Sequence, residues 1–237
     1  MCAPWPDFTF AFQPIVNIKT QSIVSFEALV RGKNHDAAAL VLGQICDADK
    51  YQFDEMLRVK AIPLAAKLGI GCNLNLNLLP GSLAVSDTAI SSTLAAAKQA
   101  QIPTNQITLE ITETEIINNV QWFTNVVNRY RSSGLHIAID DFGSGYSGLN
   151  LLAEFQPDSI KIDMLLIRQI HKHGPRQAIV RGVLRTSRDL GIDVIAEGVE
   201  SEAEFLWCAE EGIELFQGYF FAKPGFENLP VAFYPAR

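Results

Sequence analysis

Short apolar runs that alternate with stretches of helical periodicity are the feature that most constrains the fold. Eight runs are strand candidates by their β-branched and apolar content, among them "CNLNLNL", "HIAID" and "SIKID". Repeated strand and helix units predict an α/β fold with parallel strands. Eight units in 237 residues favour a closed, TIM-like (β/α)8 barrel over an open doubly wound sheet.

Two places fit a regular barrel poorly. Only a short turn, "NIKTQS", separates the first two strand candidates, and Pro63 interrupts the helical stretch before Gly69. We therefore predict a barrel that is irregular at its first strands. No internal repeat, low-complexity segment or linker stands out, so the sequence predicts a single domain over residues 1–237.

Two helical stripes are predicted to lie against the sheet because their apolar residues recur at helical spacing. The first stripe comprises Ile116, Val120, Phe123, Val127 and Tyr130. The second comprises Ala178, Ile179, Gly182, Val183 and Leu190.

The composition narrows the classes of function. A chain that is 48% hydrophobic and 19% charged can bury a large core, whereas its charge of −7 and lack of a basic stripe argue against a nucleic acid polymer as partner. The four cysteines form no CxxC pair, which favours packing thiols in a reducing cytoplasm over a zinc cage or disulfide framework. No apolar run reaches the roughly 18 residues of a membrane span. We therefore expect a soluble, cytoplasmic protein.

Oxygen-bearing side chains close five of the strand candidates, where the active site of a TIM-like barrel lies. They are Glu27, Asn77, Glu110, Asp140, Asp141, Glu197 and Glu200. One acid after a strand is more often a helix cap than a ligand. Carboxylates at several strand ends, however, would repel one another unless cations lay among them, and oxygen ligands suit magnesium or manganese better than zinc.

Two pairs of charged residues lie close together in the sequence. Neighbouring strand residues face opposite ways, so Asp140 and Asp141 can share a site only where the strand ends and the chain turns, which "FGSG" permits. Lys161 and Asp163 lie two residues apart and face the same way, into the barrel if Ile160 packs under the helices. They form either a buried ion pair or groups that orient water and neutralise a charged substrate.

Seven segments together resemble the EAL family of bacterial cyclic di-GMP phosphodiesterases. In chain order they are "FEALVR" at 26–31, "NLLP" at 77–80, "LEITE" at 109–113, "DDFGSGYSGL" at 140–149, "IKID" at 160–163, "AEGVE" at 196–200 and "QGYFFAKP" at 217–224. One such segment is a weak signal, but seven in this order are specific. Ser144 and Gly148 are mild departures, since the family often has threonine and serine there.

The resemblance implies a TIM-like barrel in which active members use two Mg²⁺ or Mn²⁺ ions to open cyclic di-GMP to linear pGpG. It implies five metal ligands, which are Glu27, Asn77, Glu110, Asp140 and Asp141. Asn75 is the alternative to Asn77, because both lie on one face of the same strand. Lys161 and Glu197 match the positions assigned to water activation, and which of them is the general base stays open.

Further roles follow from the same resemblance. The implied substrate contacts are Gln13, Arg31, Asp163 and Gln217. Glu113 and Glu200 match residues that hold the loop after Asp141. We also expect a homodimer, inhibition by Ca²⁺, and a sensor domain if the chain belongs to a longer parent protein. Two alternatives are a catalytically silent cyclic di-GMP receptor and an unrelated divalent-metal barrel lyase of the enolase type.

Overall fold

The computed structural model describes residues 4–85, 89–112, 124, 131–145 and 148–235. Its strands are β1 (Phe8–Asn17), β2 (Ser22–Gly32), β3 (Asn73–Asn77), β4 (Ile107–Thr112), β5 (His136–Phe142), β6 (Ser159–Ile162), β7 (Asp193–Ala196), β8 (Leu215–Phe216) and β9 (Gly225–Phe226). Its α-helices are α1 (Ala38–Leu42), α2 (Lys50–Lys67), α3 (Pro80–Val85), α4 (Ala89–Gln99), α5 (Gly148–Glu154), α6 (Met164–Ile167), α7 (Gly174–Leu190) and α8 (Glu202–Glu210). Short 3-10 helices lie at Thr104–Gln106 and Ile170–Lys172.

The strands close into an eight-stranded barrel. β2 to β8 follow one another in chain order, and each pairs in parallel with the next. β1 closes the ring by pairing antiparallel with both β2 and β8, and β9 adds to β1. The TIM-like prediction is confirmed, and so is the irregular start, because a short turn can join only antiparallel strands.

The core lies between the barrel and its helices. Phe53 of α2 packs edge-on against Phe8 of β1, with ring centroids 5.0 Å apart. Pro63 lies inside α2 and does not interrupt it, so the expected break is wrong. A proline removes one helical hydrogen bond, but Ala61, Ile62 and Ala65 around it are fully buried, and this packing keeps the helix continuous.

The predicted stripe on α7 is only partly right. Its buried residues are Val180, Val183 and Ser187, whereas Ile179 and Leu190 are exposed. The apolar pattern misled the prediction because a small polar side chain, Ser187, occupies a core-facing position. The stripe predicted over 116–130 lies outside the described residues.

The cysteines of the described chain differ in their chemical state. Cys72 and Cys208 carry free thiols, and burial raises their pKa values to about 11 and about 12. Cys46 is disulfide-bonded, so the expectation that all four cysteines are packing thiols is wrong for this residue.

Within the described part of the chain, no helix is both long and apolar enough to cross a membrane.

Candidate active site

Lys161 lies at the centre of a group of acids inside the barrel. Its side chain is fully buried, and its Nζ lies 3.0 Å from Glu27 Oε2, 3.2 Å from Glu110 Oε2, 3.1 Å from Asp140 Oδ1 and 2.9 Å from Glu197 Oε1. These acids come from β2, β4, β5 and the end of β7. We call the four acids the carboxylate cluster; the barrel brings them together although 170 residues separate the first from the last.

A bulge in β5 lets neighbouring acids share this site. The pairing of β5 with β6 shifts between Ile139 and Phe142, and Asp141 adopts a left-handed conformation with φ of 53°. One oxygen each of Asp140, Asp141 and Glu197 then lie within 4.8 Å of one another. The strand was expected to end here; it continues instead to Phe142, and the bulge re-aims Asp141.

Glu27 does not close its strand, contrary to the sequence prediction. β2 continues to Gly32, five residues beyond it. Its pairing with β3 ends at Glu27, however, and beyond that point β1 is the only strand among the described residues that pairs with β2. Glu27 therefore lies where the two strands separate, which places its carboxylate at the same level as those of its neighbours.

Two asparagines of β3 reach the carboxylate cluster. Asn77 is the last residue of the strand, is exposed, and donates from Nδ2 to Glu27 Oε1 at 3.3 Å. Asn75 lies deeper, is buried, and donates to Glu110 Oε1 at 2.7 Å. Both side chains contact an acid, but only Asn77 lies at the open end of the strand, which makes it the better candidate ligand for an ion entering from solvent.

Two predicted substrate contacts border the carboxylate cluster. Gln217 donates from Nε2 to Glu27 Oε2 at 2.7 Å, and the same nitrogen lies 3.5 Å from Gln13 Oε1. Gln13 in turn donates to the carbonyl of Ala222 at 3.2 Å. Both glutamines are buried. The structure thus brings these residues beside the acids, as a substrate lying across the barrel mouth would require.

The other two predicted substrate contacts have different surroundings. The Arg31 guanidinium donates to the carbonyl of Val30 at 2.7 Å, and no ion pair to it occurs among the described residues. Asp163 caps α6, because its Oδ1 accepts from the Leu165 amide at 2.5 Å. Asp163 therefore combines the ordinary capping role with a position next to Asp141, whose pKa it helps to raise.

Glu113 and Glu200 are the two residues predicted to hold the loop after Asp141. Glu113 lies outside the described residues. Glu200 forms an ion pair with Arg168 at 2.7 Å, in the segment that follows α6. Within the described chain, Glu200 thus links the loop after β7 to the segment after β6, and its role toward the loop after Asp141 stays a prediction.

Burial and mutual repulsion disfavour the charged forms of several acids. Burial raises the pKa of Glu110 well above its usual value, and the charge of Glu27 adds to the effect. Burial also raises the pKa of Glu197 to about 8, although Lys161 opposes the shift. The pKa of Asp141 rises to about 6, first through burial and then through Asp140. These acids lack sufficient positive charge around them.

The acids have the opposite effect on the lysine. Burial alone would lower the pKa of Lys161, but Asp140, Glu110 and the two other cluster acids raise it well above its usual value. Lys161 is therefore a permanent cation near neutral pH. Counting Asp141, five carboxylates face this one positive charge.

This imbalance fits divalent cations. Asp140 Oδ1 is buried and accepts no hydrogen bond of good geometry from the described residues, although Lys161 Nζ lies nearby. All the converging side chains offer oxygen, which hard cations such as Mg²⁺ and Mn²⁺ prefer. The donor set and the surplus of negative charge therefore suit the metals that the sequence predicts.

A family model for the EAL domain matches residues 6–224. The chain belongs to the EAL family. Among curated relatives of this EAL domain, the blue light- and temperature-regulated antirepressor BluF of Escherichia coli is 37% identical over 96% of the chain. The cyclic di-GMP phosphodiesterase PdeR of the same species is 41% identical over 50% of the chain. The EAL domain spans only 57% of BluF and 18% of PdeR.

Solved EAL structures agree closely with this fold. A standalone EAL protein from Vibrio cholerae in its c-di-GMP-bound form has 51% identity and a TM-score of 0.92, covering 97% of both chains. A manganese and cyclic di-GMP complex of Klebsiella pneumoniae BlrP1 has 40% identity and a TM-score of 0.93, covering all of this chain and 61% of BlrP1. Family membership rules out the enolase-type alternative.

Sequence reasoning missed a buried ion pair next to the site. Asp54 and Arg58 form an ion pair on α2, and both are almost fully buried. Their spacing of four residues, with Asp54 directly after the apolar Phe53 and Arg58 directly after Leu57, is a signal from which a buried pair could have been expected. What they contact could not be read from that spacing.

Proposed function

We propose that this EAL domain is a phosphodiesterase that hydrolyses cyclic di-GMP to linear pGpG. The observation that carries the proposal is the surplus of five converging carboxylates over one buried lysine at the mouth of the barrel. The relative PdeR is named as a phosphodiesterase for this substrate, and the V. cholerae relative binds it.

The acids are proposed to hold two divalent cations, Mg²⁺ or Mn²⁺. The ligands of one are Glu27, Asn77, Glu110 and Asp140, and Asp140 and Asp141 serve the other. When bound, such ions supply Lewis acidity that activates water and stabilises the charge on the phosphate oxygens. Ca²⁺ should inhibit, because its larger radius and looser coordination suit an in-line displacement poorly.

Lys161 and Glu197 receive different roles. A lysine whose pKa is raised stays protonated near neutral pH, so it cannot take a proton but can orient a water by donating to it. Glu197 has a pKa near 8 without metals, lies 2.9 Å from Lys161 Nζ, and can accept a proton when it is ionised. We therefore assign Glu197 as general base and Lys161 as the group that orients the water.

The polar side chains around the mouth are proposed to bind the substrate. Arg31 can offer its guanidinium to a phosphate, since its described contact is a backbone carbonyl and not an acid. Gln13 and Gln217 border the carboxylate cluster, and the buried Oε1 of Gln217 accepts no hydrogen bond from the described chain. Asp163 is the remaining candidate contact.

A catalytically silent cyclic di-GMP receptor is the second candidate function. It is favoured by BluF, which is named as an antirepressor although it is 37% identical to this chain. The described site, however, keeps every acid predicted to bind metal. A protein that only recognised the ligand would have no use for so many repelling charges, and so we prefer hydrolysis.

The test is incubation of the purified protein with Mg²⁺ or Mn²⁺ and cyclic di-GMP, followed by chromatography for pGpG. We expect pGpG in the presence of either ion, and none with a chelator, with Ca²⁺ alone or with Glu27→Gln. The surface variant Lys19→Met is the matched control, because its ion pair with Glu214 is exposed and remote from the site. Tight binding of cyclic di-GMP without any pGpG would favour the receptor.

We also propose a homodimer of single-domain chains acting in the cytoplasm, with a sensor domain elsewhere if the parent protein is longer. Exposed apolar side chains close to the site support self-association: Leu149 of α5 and Met164 and Leu165 of α6 are 61%, 46% and 62% exposed. Light scattering should give twice the mass of one chain. Only monomer at working concentrations would contradict the dimer.

A further inference from the structure

The buried ion pair on α2 lies outside the barrel wall, beneath the end of β3. Asp54 is 4% exposed and Arg58 is 1% exposed. Arg58 Nη1 donates to Asp54 Oδ2 at 2.5 Å, and its Nε donates to Thr93 Oγ1 of α4 at 3.2 Å. The pair is separate from the carboxylate cluster, which lies inside the barrel.

The pair holds the chain that follows β3 at two points. Arg58 Nη1 donates to the carbonyl of Asn77 at 3.2 Å, and Asp54 Oδ1 accepts from the Leu79 amide at 3.2 Å. From the other side, the Leu78 amide donates to the carbonyl of Glu110 at 2.9 Å. Three successive residues are thus fixed, and the first of them carries the candidate metal ligand.

The side chain of Asn77 depends on this support. It is exposed, and its hydrogen bond to Glu27, among the described residues, is long at 3.3 Å. Its amide therefore takes its position mainly from the backbone to which it is attached. A shift of about 1 Å in a site of this kind can cost about a hundredfold in function.

Stability alone does not explain why α2 carries charges here. Buried ion pairs are often replaced by apolar residues without loss of stability, because desolvation offsets their attraction. A partly open pocket of about 490 Å³, lined by Ala28, Leu57 and Ala61 among others, also lies beside the pair. An apolar helix face could have filled it.

We propose that Asp54 and Arg58 are positioning residues that set Asn77 as a metal ligand. The inference rests on the proposed function for the identity of the ion. Arg58 fixes the carbonyl of Asn77 and Asp54 fixes the amide two residues on, so the pair determines the direction in which the Asn77 side chain leaves the strand. Neither residue touches the ion or the substrate.

The test is calorimetric titration of the metal-free protein with Mn²⁺. Arg58→Met should weaken the affinity for Mn²⁺ by roughly 10- to 100-fold. Arg58→Lys, which keeps the charge, should lose less affinity than Arg58→Met. In an Asn77→Ala background, Arg58→Met should change the affinity less than about threefold, because residues that act through one another are not additive. Val180→Ala, a core truncation on α7, is the control for lost stability and should keep the normal affinity.

Several results would overturn the inference. They are additive effects of Arg58→Met and Asn77→Ala, an equal loss in Val180→Ala, or no Mn²⁺ binding by the unmodified protein. If Arg58→Met does not fold, Arg58→Lys and Thr93→Val carry the test, and normal affinity in both would contradict it. If Mn²⁺ binds and the Arg58→Met and Asn77→Ala variants are non-additive as expected, but no pGpG forms, only the proposed hydrolysis is contradicted.

Discussion

Two cations are almost completely buried in the described chain, and their surroundings differ. Arg58, outside the barrel, has a carboxylate, a hydroxyl and a carbonyl among its partners. Lys161, inside the barrel, has four carboxylates, and a fifth lies at Asp141. The first arrangement pairs one positive charge with one negative charge. The second carries a surplus of negative charge that folding alone would not favour.

The comparison separates a buried charge pair that is balanced within the fold from a cluster of acids that needs further cations. Removing one partner of a buried pair such as Asp54 and Arg58 destabilises the fold, because the other charge is left buried and unpaired. In the carboxylate cluster, burial and then repulsion between the acids already raise the pKa values of Glu110 and Glu197. Removing an acid there should harm ion binding more than the fold.

A large effect on turnover is expected at Lys161. If it orients the attacking water, Lys161→Ala should lower kcat by roughly 10²- to 10⁴-fold while changing KM little. Steady-state kinetics with cyclic di-GMP measures both constants, and circular dichroism checks the fold. A raised KM with normal kcat would instead make Lys161 an anchor for the phosphate.

Replacing Arg58 should act mainly on stability, whereas replacing Lys161 should act mainly on turnover. Arg58→Met leaves the Asp54 carboxylate buried and unpaired, so the free energy of unfolding should fall by about 3–5 kcal/mol. Replacing both residues, as Asp54→Leu with Arg58→Met, should restore part of this loss. Urea unfolding of metal-free protein measures it, and a double variant no more stable than Arg58→Met would contradict a balanced pair.

Asp140 and Asp141 should respond differently to added ions. If Asp140 is shared by both ions, Asp140→Asn should abolish hydrolysis at any Mn²⁺ concentration. Asp141→Asn should weaken one site only, so raised Mn²⁺ should partly restore its rate by mass action. The measurement is rate against Mn²⁺ concentration. Equal rescue of both variants would show that the roles are wrongly assigned.

The smallest predicted effect is a pH dependence of stability without metals. Asp141 and Glu197 have native pKa values of about 6 and about 8, above those of an unfolded chain, so the native state binds more protons between about pH 4.5 and 8. Metal-free stability should therefore fall as pH rises through this range. Melting temperatures from pH 5 to 8 measure it, and Glu197→Gln should flatten the curve. A rise with pH would contradict the surplus of charge.

Much of the fold and part of the site follow from local sequence patterns. Alternation along β3 and β6 predicts which side chains face the interior, and the rule that sites lie at strand ends identifies Glu110, Asp140 and Glu197. The prediction from alternation works because side-chain direction in a strand has a period of two. The strand-end rule holds strictly only for Glu197, since Glu110 and Asp140 each lie two residues before the end of their strands. The parallel barrel follows from the repeated strand and helix units.

Other features depend on contacts that no local pattern contains. The bulge that re-aims Asp141 arises from the register between β5 and β6, and Glu27 lies inside a strand because β2 continues with β1 alone. Pro63 remains helical because its neighbours are buried. The partners of Arg58 likewise depend on how α2 docks against the end of β3.

The surplus of carboxylates around Lys161 is the central claim, and counting bound ions tests it most directly. Equilibrium dialysis of the purified protein against Mn²⁺ at neutral pH should give two ions per chain. Glu27→Gln should retain fewer, and Arg58→Lys should retain both but more weakly. A chain that binds no Mn²⁺, or that binds it equally well after Glu27→Gln, would show that the carboxylates serve another purpose.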